Sequence, residues 1–459
     1  METLQRTANR GSISTGGYEI DNSCKFETDN TEYLERATGG GNGDTQKHTI
    51  SVWVKRTELS NGTNTYIMGF NGGRLRFETN DIIEYQFRSG RKLETTAVYR
   101  DTSAWYHLVV VADSTLATST DRMKLWVNGV RVTDFTTYIP QDQNQGSPLW
   151  GVYNTYNFRV GGGGSYTSDG INGYLSEVYY INGQTLDPTD FGEFDDDSGI
   201  WKPKAFTGTF GSLDNYLDFS NSSNLGEDAN GGTDLSLNNI TSADQATDTP
   251  TNNFCTLNPV MLTQANTVIS QGATSLFSTG ASGNTVVGTM GVSRGKWYWE
   301  FKDINHGGTA YWPAIGYTSS ESTDSTQTAG GGSGYPSHVA LLPNGGTFTN
   351  GSIISNKFNT FSPNDIAGVA LDMDNGDMYL YKNGTIQNSG NPIFTSIGDF
   401  AMPVGSVYLN GCGGYFNFGG FTSYTPASAA TDENGYGTFE YAPPSGYYAL
   451  CTKNLAEYG

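Results

Sequence analysis

Short alternating or continuously apolar runs, closed by Asn-Gly pairs, recur along the chain, and no apolar stripe at helical spacing accompanies them. An Asn-Gly pair between two such runs is a strong local hairpin signal, because both residues tolerate the positive φ of a two-residue turn. Met123–Val127 runs into Asn128-Gly129, and Val130–Thr133 returns; Met378–Lys382 lies between Asn375-Gly376 and Asn383-Gly384. Tyr174–Ile181 reaches Asn182-Gly183, Thr49–Val54 alternates, and Tyr106–Ala112 is apolar almost throughout, as a strand covered on both faces should be. With 60 glycines, 28 tyrosines and 23 phenylalanines, the composition fits many short strands joined by glycine-rich turns rather than disorder, which is poor in aromatics. The fold expected is all-β, with antiparallel β-sandwich modules of jelly-roll type.

The strand-like runs form two clusters, so the 459 residues divide into an N-terminal arm (1–11), a first sandwich (12–190), an Asp/Asn/Ser-rich linker (191–264), a second sandwich (265–420) and a tail (421–459). The aromatics Phe206, Phe210, Tyr216 and Phe219 predict that the linker packs on a module, and the Tyr-rich stretch Tyr441–Tyr448 predicts a tail that wraps a neighbour or another chain. A net charge of −21 disfavours nucleic acid and anionic membrane surfaces as partners. Cys24, Cys255, Cys412 and Cys451 lie far apart without metal spacing and read as buried thiols. Met1–Arg10 lacks the apolar core of an export signal, and no stretch nears the roughly 20 apolar residues of a membrane span. A surface-type protein with no export signal needs another way out of its cell, and release by lysis, as for a virus particle, is one.

The runs Ile50–Val54, Trp105–Val111, Lys124–Gly129 and Gly173–Gly183 together resemble a LamG/concanavalin A-like jelly roll. Gly295–Phe301, Ala314–Tyr317 and Gly368–Gly384 resemble a SPRY domain. The tandem order, with Leu217–Ser220, Asp248–Cys255 and Ala449–Thr452 around it, is similar to virion proteins of marine tailed bacteriophages. That resemblance implies a fibre- or appendage-type component that contacts the host.

Motifs for catalysis are weak. A glycoside hydrolase needs two carboxylates about 5–9 Å apart across the sugar bond. Glu19-Ile-Asp21 and Glu193-Phe-Asp195 begin such a run, but neither has the closing Glu. No Gly-x-Ser-x-Gly or His-Glu-x-x-His motif occurs, and His107 inside an apolar strand reads as structural. The runs Gly161–Gly164 and Gly330–Gly332 are read as loops rather than phosphate cradles, since no Lys-Ser/Thr follows either. Asp372, Asp374 and Asp377 read as a hairpin turn. Sugar binding uses exposed aromatics that stack on pyranose faces, beside groups that bond hydroxyls. The loop aromatics Tyr153, Tyr156 and Tyr166 of the first module and Tyr311, Trp312 and Tyr335 of the second are the candidate ligand contacts, with Tyr66 beside them. No cofactor is expected, and Asp113, Asp142 and Asp169 read first as solvated loop acids; the resemblance to LamG modules offers them, as the alternative, for a calcium ion at a loop rim.

The expected function is therefore that of a non-enzymatic phage virion protein whose loops bind a host-surface glycan. Its expected partners are other virion proteins, further copies of itself and that glycan. A purely structural decoration or connector protein is the alternative, and a polysaccharide depolymerase the third reading.

Overall fold

What lies on each face of the strand Trp105–Asp113 explains its apolar run. Leu108, Val110 and Ala112 enter the core of the first sandwich, while Val109 and Val111 enter a second cluster with Tyr179, Ile181 and Phe191. The partner strand Lys47–Arg56 sends Ile50, Val52 and Val54 into the core and keeps Ser51 and Trp53 on the other side, around His107. Each large apolar side chain so buried is worth about 1.5–3 kcal/mol.

The structure, a computed structural model, describes residues 17–36, 43–60, 62–70, 72–147, 158–163, 169–261, 266–280, 285–306, 313–319, 338–349 and 352–459. Among them the protein is nearly all β, with one short helix, Thr452–Tyr458. No helix of the described residues is long and apolar enough to cross a membrane. Ser14–Thr251 form one compact unit and Asn252–Gly459 the body of the other.

Two large antiparallel sheets build the first unit, with a small hairpin of Gly192–Phe194 and Trp201–Pro203 beside them. One runs in the order Val130–Arg131, Met123–Val127, Trp105–Asp113, Lys47–Arg56, Gly173–Asn182, Ser23–Phe26 and Gln245–Ala246, with Asn215–Leu217 also on Gly173–Asn182. The other runs Phe135–Ile139, Arg91–Val98, Ile82–Arg88, Gly73–Phe77, Thr65–Phe70, Phe158–Val160, Tyr33–Arg36 and Ser236–Asn238. Their facing residues interdigitate in one core, in which Val52, Leu108 and Leu175 meet Leu75, Phe77 and Tyr85.

The expected linker is a different object. Residues 191–251 belong to the first unit, so the boundary falls between Thr251 and Asn252 rather than at 190 and 265. Asn215–Leu217, Ser236–Asn238 and Gln245–Ala246 extend its sheets. Phe206, Phe210 and Tyr216 cover Tyr179 on the outer sheet face, so the segment packs on a module as expected, and Phe219 enters the core. Trp201 stacks on His107, its indole N–H donating to Nδ1 over 2.9 Å. The reason is area: Val109, Val111, Tyr179 and Ile181 need a cover, and this segment supplies it.

In the second unit, Lys296–Asn305 and Ile366–Asp372 sit within a larger sheet, and Ala314–Thr318 with Met402–Ser406 within a smaller one. Trp297, Trp299, Phe301 and Val369 pack from the larger sheet against Val286, Ile315 and Phe348. The outer residues of the same strand, Tyr298 and Glu300, meet the tail. Tyr298 packs with Phe439, Tyr447 and Ala449, and Tyr448–Ala449 pair in parallel with Trp297 and Tyr298. The buried Glu300 carboxylate accepts the N–H groups of Glu440 and Tyr441 at 2.8 and 2.9 Å and the hydroxyl of Tyr424 at 3.0 Å. The tail therefore wraps the neighbouring sandwich, one of the two contacts expected for it. Beside it, the start and end of the unit clasp: Phe254 bridges Cys451, and Asn253 O accepts from Thr452 N at 2.8 Å.

Two of the four Asn-Gly pairs singled out in the sequence form as read, whereas at Asn182-Gly183 and Asn375-Gly376 only the glycine takes positive φ, at 76° and 71°. Asn128 and Gly129 have φ of 48° and 74°, and Asn383 and Gly384 have 48° and 75°, the two left-handed positions of a type I′ turn. All four cysteines are buried free thiols.

Candidate functional site

On the second sheet of the first unit, the strands Gly73–Phe77, Ile82–Arg88 and Arg91–Val98 send Leu75, Phe77, Ile83, Tyr85, Phe87 and Leu93 into the core. The two-residue strand period puts Arg74, Arg76, Glu84, Gln86, Lys92 and Glu94 on the opposite face. Register then aligns them in rows. Glu94 stands opposite Glu84, Glu84 opposite Arg76, and Arg76 opposite Tyr66. In the next row Lys92 faces Gln86, Gln86 faces Arg74, Arg74 faces Gly69, Gly69 faces Arg159, and Arg159 faces Glu35.

The rows are knit by charge-assisted bonds. Arg76 donates to the Tyr66 hydroxyl at 2.7 Å, to Glu78 at 2.9 and 2.5 Å, and to Glu84 at 3.4 Å. Arg74 donates to the other Glu84 oxygen, Lys92 pairs with Glu94, and Lys92 lies 3.7 Å from Glu84. Arg159 donates to Glu35 at 2.6 Å and lies 4.3 Å above the Tyr33 ring. Glu84 is only 1% exposed, whereas the side chains of Arg74 and Lys92 keep 22% and 28% of their surface. The face thus has a buried ionic floor and accessible ends. Arg74, Arg76, Lys92 and Arg159 are matched by Glu78, Glu84, Glu94 and Glu35, which leaves it close to neutral.

Two carboxylates of the floor are pushed apart in acidity. Burial, together with hydrogen bonding to Glu84 and its negative charge, holds Glu78 above the usual carboxylate range. Burial acts against the Glu84 charge too, but its bonds to Glu78 and Arg74 and the charges of both arginines hold it below that range. Glu78, Glu84 and Glu94 bring one oxygen each within 4.8 Å of one another. Arg74, Arg76 and Lys92 already neutralise this group and repel a further cation. Chemically, the accessible ends set the donors Arg74 and Lys92 beside the acceptor Glu94, a pattern that can meet the hydroxyls of a polar ligand.

Sequence reasoning missed these residues. Arg74, Glu84 and Lys92 alternate with apolar neighbours, the ordinary pattern of a solvent-facing strand side, and only register reveals rows. Tyr66 is the one aromatic singled out in the sequence that the structure places here, but in the strand Thr65–Phe70 and buried rather than on an exposed loop. Tyr153, Tyr156, Tyr166, Tyr311, Trp312 and Tyr335 lie outside the described residues. Asp113, Asp142 and Asp169 do not gather into one group. Asp113 accepts from the Thr115 N–H at 2.9 Å and its hydroxyl at 2.5 Å, Asp142 pairs with Arg91 at 2.8 Å, and the Asp169 carbonyl accepts from Tyr66 N at 2.8 Å. Asp195 closes a hairpin turn by accepting from Ser198, and Asp372 does the same for Asp374 and Asn375.

Residues 28–189, the part of the chain that carries this face, match the Laminin_G_3 model, described as Concanavalin A-like lectin/glucanases superfamily. No curated protein matches the sequence. Among solved structures, the chain is similar to the SPRY domain of human HERC1, with 16% identity over 33% of this chain and 89% of that one, at a TM-score of 0.27. It is similar to the TRIM65 PSpry domain, with 16% identity over 36% and 91% and a TM-score of 0.27. It is also similar to a native heptameric SAP-like pentraxin from Limulus polyphemus, with 13% identity over 37% and 80% and a TM-score of 0.26.

Proposed function

We propose that this chain is a binding protein whose concanavalin A-like sandwich holds a neutral, hydroxyl-rich ligand, a glycan, against the accessible ends of Arg74, Lys92 and Glu94, which the buried Arg76 and Glu84 hold in place. The observation that carries the reading is the charge match on that face. A polyanion would need uncompensated cations, whereas sugar hydroxyls need donors and acceptors side by side. The family model matched by residues 28–189 supports a lectin-type role in general terms. The setting we propose is the surface or an appendage of a bacteriophage virion, where many weak sites on one particle add up to firm attachment to a host cell. That setting rests on the tandem sequence resemblance.

Binding is favoured over cleavage by the state of Glu84. A nucleophilic carboxylate must be free to attack, and this one is held by Arg74 and Arg76 with Lys92 nearby. Release of reducing ends from a host polysaccharide by the pure chain would reverse that judgement.

The test is binding of the fluorescently labelled chain to intact candidate host cells, before and after enzymatic stripping of surface polysaccharide, alongside Arg74→Ala. Loss on stripping and a drop of about tenfold for the variant, roughly one charge-assisted hydrogen bond, are expected. Binding that survives both would overturn the assignment.

A further inference from the structure

At one end of the second sandwich the two sheets leave a cleft with an empty volume of about 300 Å³, counting its open mouth. Phe301, Ala367 and Leu380 line it from the larger sheet, Ile315 and Leu341 from the smaller, and Phe361 from a connecting loop. Among the described residues, one ionisable group enters this apolar lining, Asp303 on the strand Lys296–Asn305. Asp303 is 3% exposed. Its Oδ2 bonds to Nε2 of His306, but its Oδ1 has no hydrogen-bond partner among the described residues. The backbone there is fixed: Asp303 N donates to Asp365 O at 3.0 Å, and Asp303 O accepts from Asn364 N at 2.6 Å. The carboxylate is therefore held where it stands.

A buried carboxylate oxygen without a donor is costly, and folded proteins keep few such atoms. The nearby cation Lys382 is committed elsewhere, to Asp365 at 3.0 Å and the Thr360 carbonyl at 2.6 Å. An unsatisfied acceptor in an apolar, phenylalanine-bearing cleft calls for a donor that is positively charged and carries its own apolar stem. We propose that this cleft takes an alkylammonium group, whose ammonium donates to Asp303 Oδ1 while its methylenes lie against Phe301, Leu341 and Phe361. The free space is narrow, so the group is a slender tip rather than a ring. A lysine side chain of a partner protein and a small primary amine share that chemistry. Burial, opposed by His306, pushes the Asp303 carboxyl up to about 6, and an ammonium docked on Oδ1 would bring it back down. This site is separate from the glycan face, and neither depends on the other.

The experiment is saturation-transfer NMR on the full chain at pH 7.5, with n-butylammonium as probe and n-butanol and butyramide as neutral controls. A capped lysine peptide forms a second arm, separating a protein partner from a free amine. Transfer to the ammonium probe about tenfold above the neutral controls is expected, with loss of that preference in Asp303→Asn. In the unsubstituted chain, the side-chain carboxyl ¹³C resonance of Asp303 should move on titration with n-butylammonium and stay still with sodium chloride. This second readout holds even if the variant fails to fold. Equal transfer for charged and neutral probes, or a carboxyl resonance that ignores the amine, overturns the proposal. A crystal structure grown with the amine that shows only a water on Oδ1 does so too.

Discussion

Each ring nitrogen of His107 has one partner, and together the partners fix its tautomer. Nδ1 accepts from Trp201, so Nε2 carries the proton and donates to Ser51 Oγ at 2.8 Å. Burial holds His107 and His48 down to about 3. Their folded values lie below the unfolded one, so the neutral rings contribute stability that is complete above about pH 6.5 and is lost as pH falls toward 3. The first unit is expected to lose several kcal/mol, roughly 2–4 per histidine, between pH 7 and pH 4. Urea unfolding at both pH values checks this, and a flat stability would refute it. Asp303 has the opposite sign. Its folded value of about 6 lies above the unfolded one, so its burden is absent below about pH 4 and grows as pH rises through 6. Asp303→Asn should therefore raise the melting temperature at pH 7.5, by roughly 1–3 kcal/mol of stability, and change little at pH 3.5. A role for His107 inside the fold was legible from its apolar strand. Nothing in Lys302-Asp303-Ile304-Asn305 marks Asp303, because what isolates it is a cleft made by strands far away in the sequence.

Elements show the same division between local and distant causes. The turns at Asn128-Gly129 and Asn383-Gly384 were readable because their geometry is set by the two residues themselves. The close approach at Gly129 was not, since a Cβ there would lie 2.2 Å from the Trp201 ring. With a φ of 74° and that collision, Gly129→Ala is expected to destabilise the first unit by about 2–4 kcal/mol. Thermal unfolding measures it, and a loss under about 0.5 kcal/mol would mean that Trp201 is not seated there. The strands were also legible, from alternation and from the run in Trp105–Asp113. The rows of Arg74 and Arg76 were not, because alternation fixes which face a residue occupies, while its cross-strand neighbours depend on register.

At the scale of the molecule, composition and periodicity gave two sandwiches but misplaced their boundary. Residues 191–251 are polar enough to read as a connector, and their aromatics are too dispersed to reveal the sheet face they cover. A fragment ending at 251 is expected to unfold cooperatively as a monomer. One ending at 190 would uncover Val109, Val111 and Tyr179 and should aggregate. Analytical ultracentrifugation of the two distinguishes these outcomes, and equal behaviour would restore the boundary at 190. The clasp of the second unit bears on how the protein is made. Phe254 leaves the ribosome nearly two hundred residues before Cys451, its partner across the bridge. At about 5–20 residues per second, that is a wait of roughly 10–40 s, and the aromatic face around Tyr298, once made, has no lid for roughly 7–30 s of it. The nascent second unit should thus be a client for holding chaperones through most of its synthesis, and a translational pause just before Thr452 should prolong that dependence.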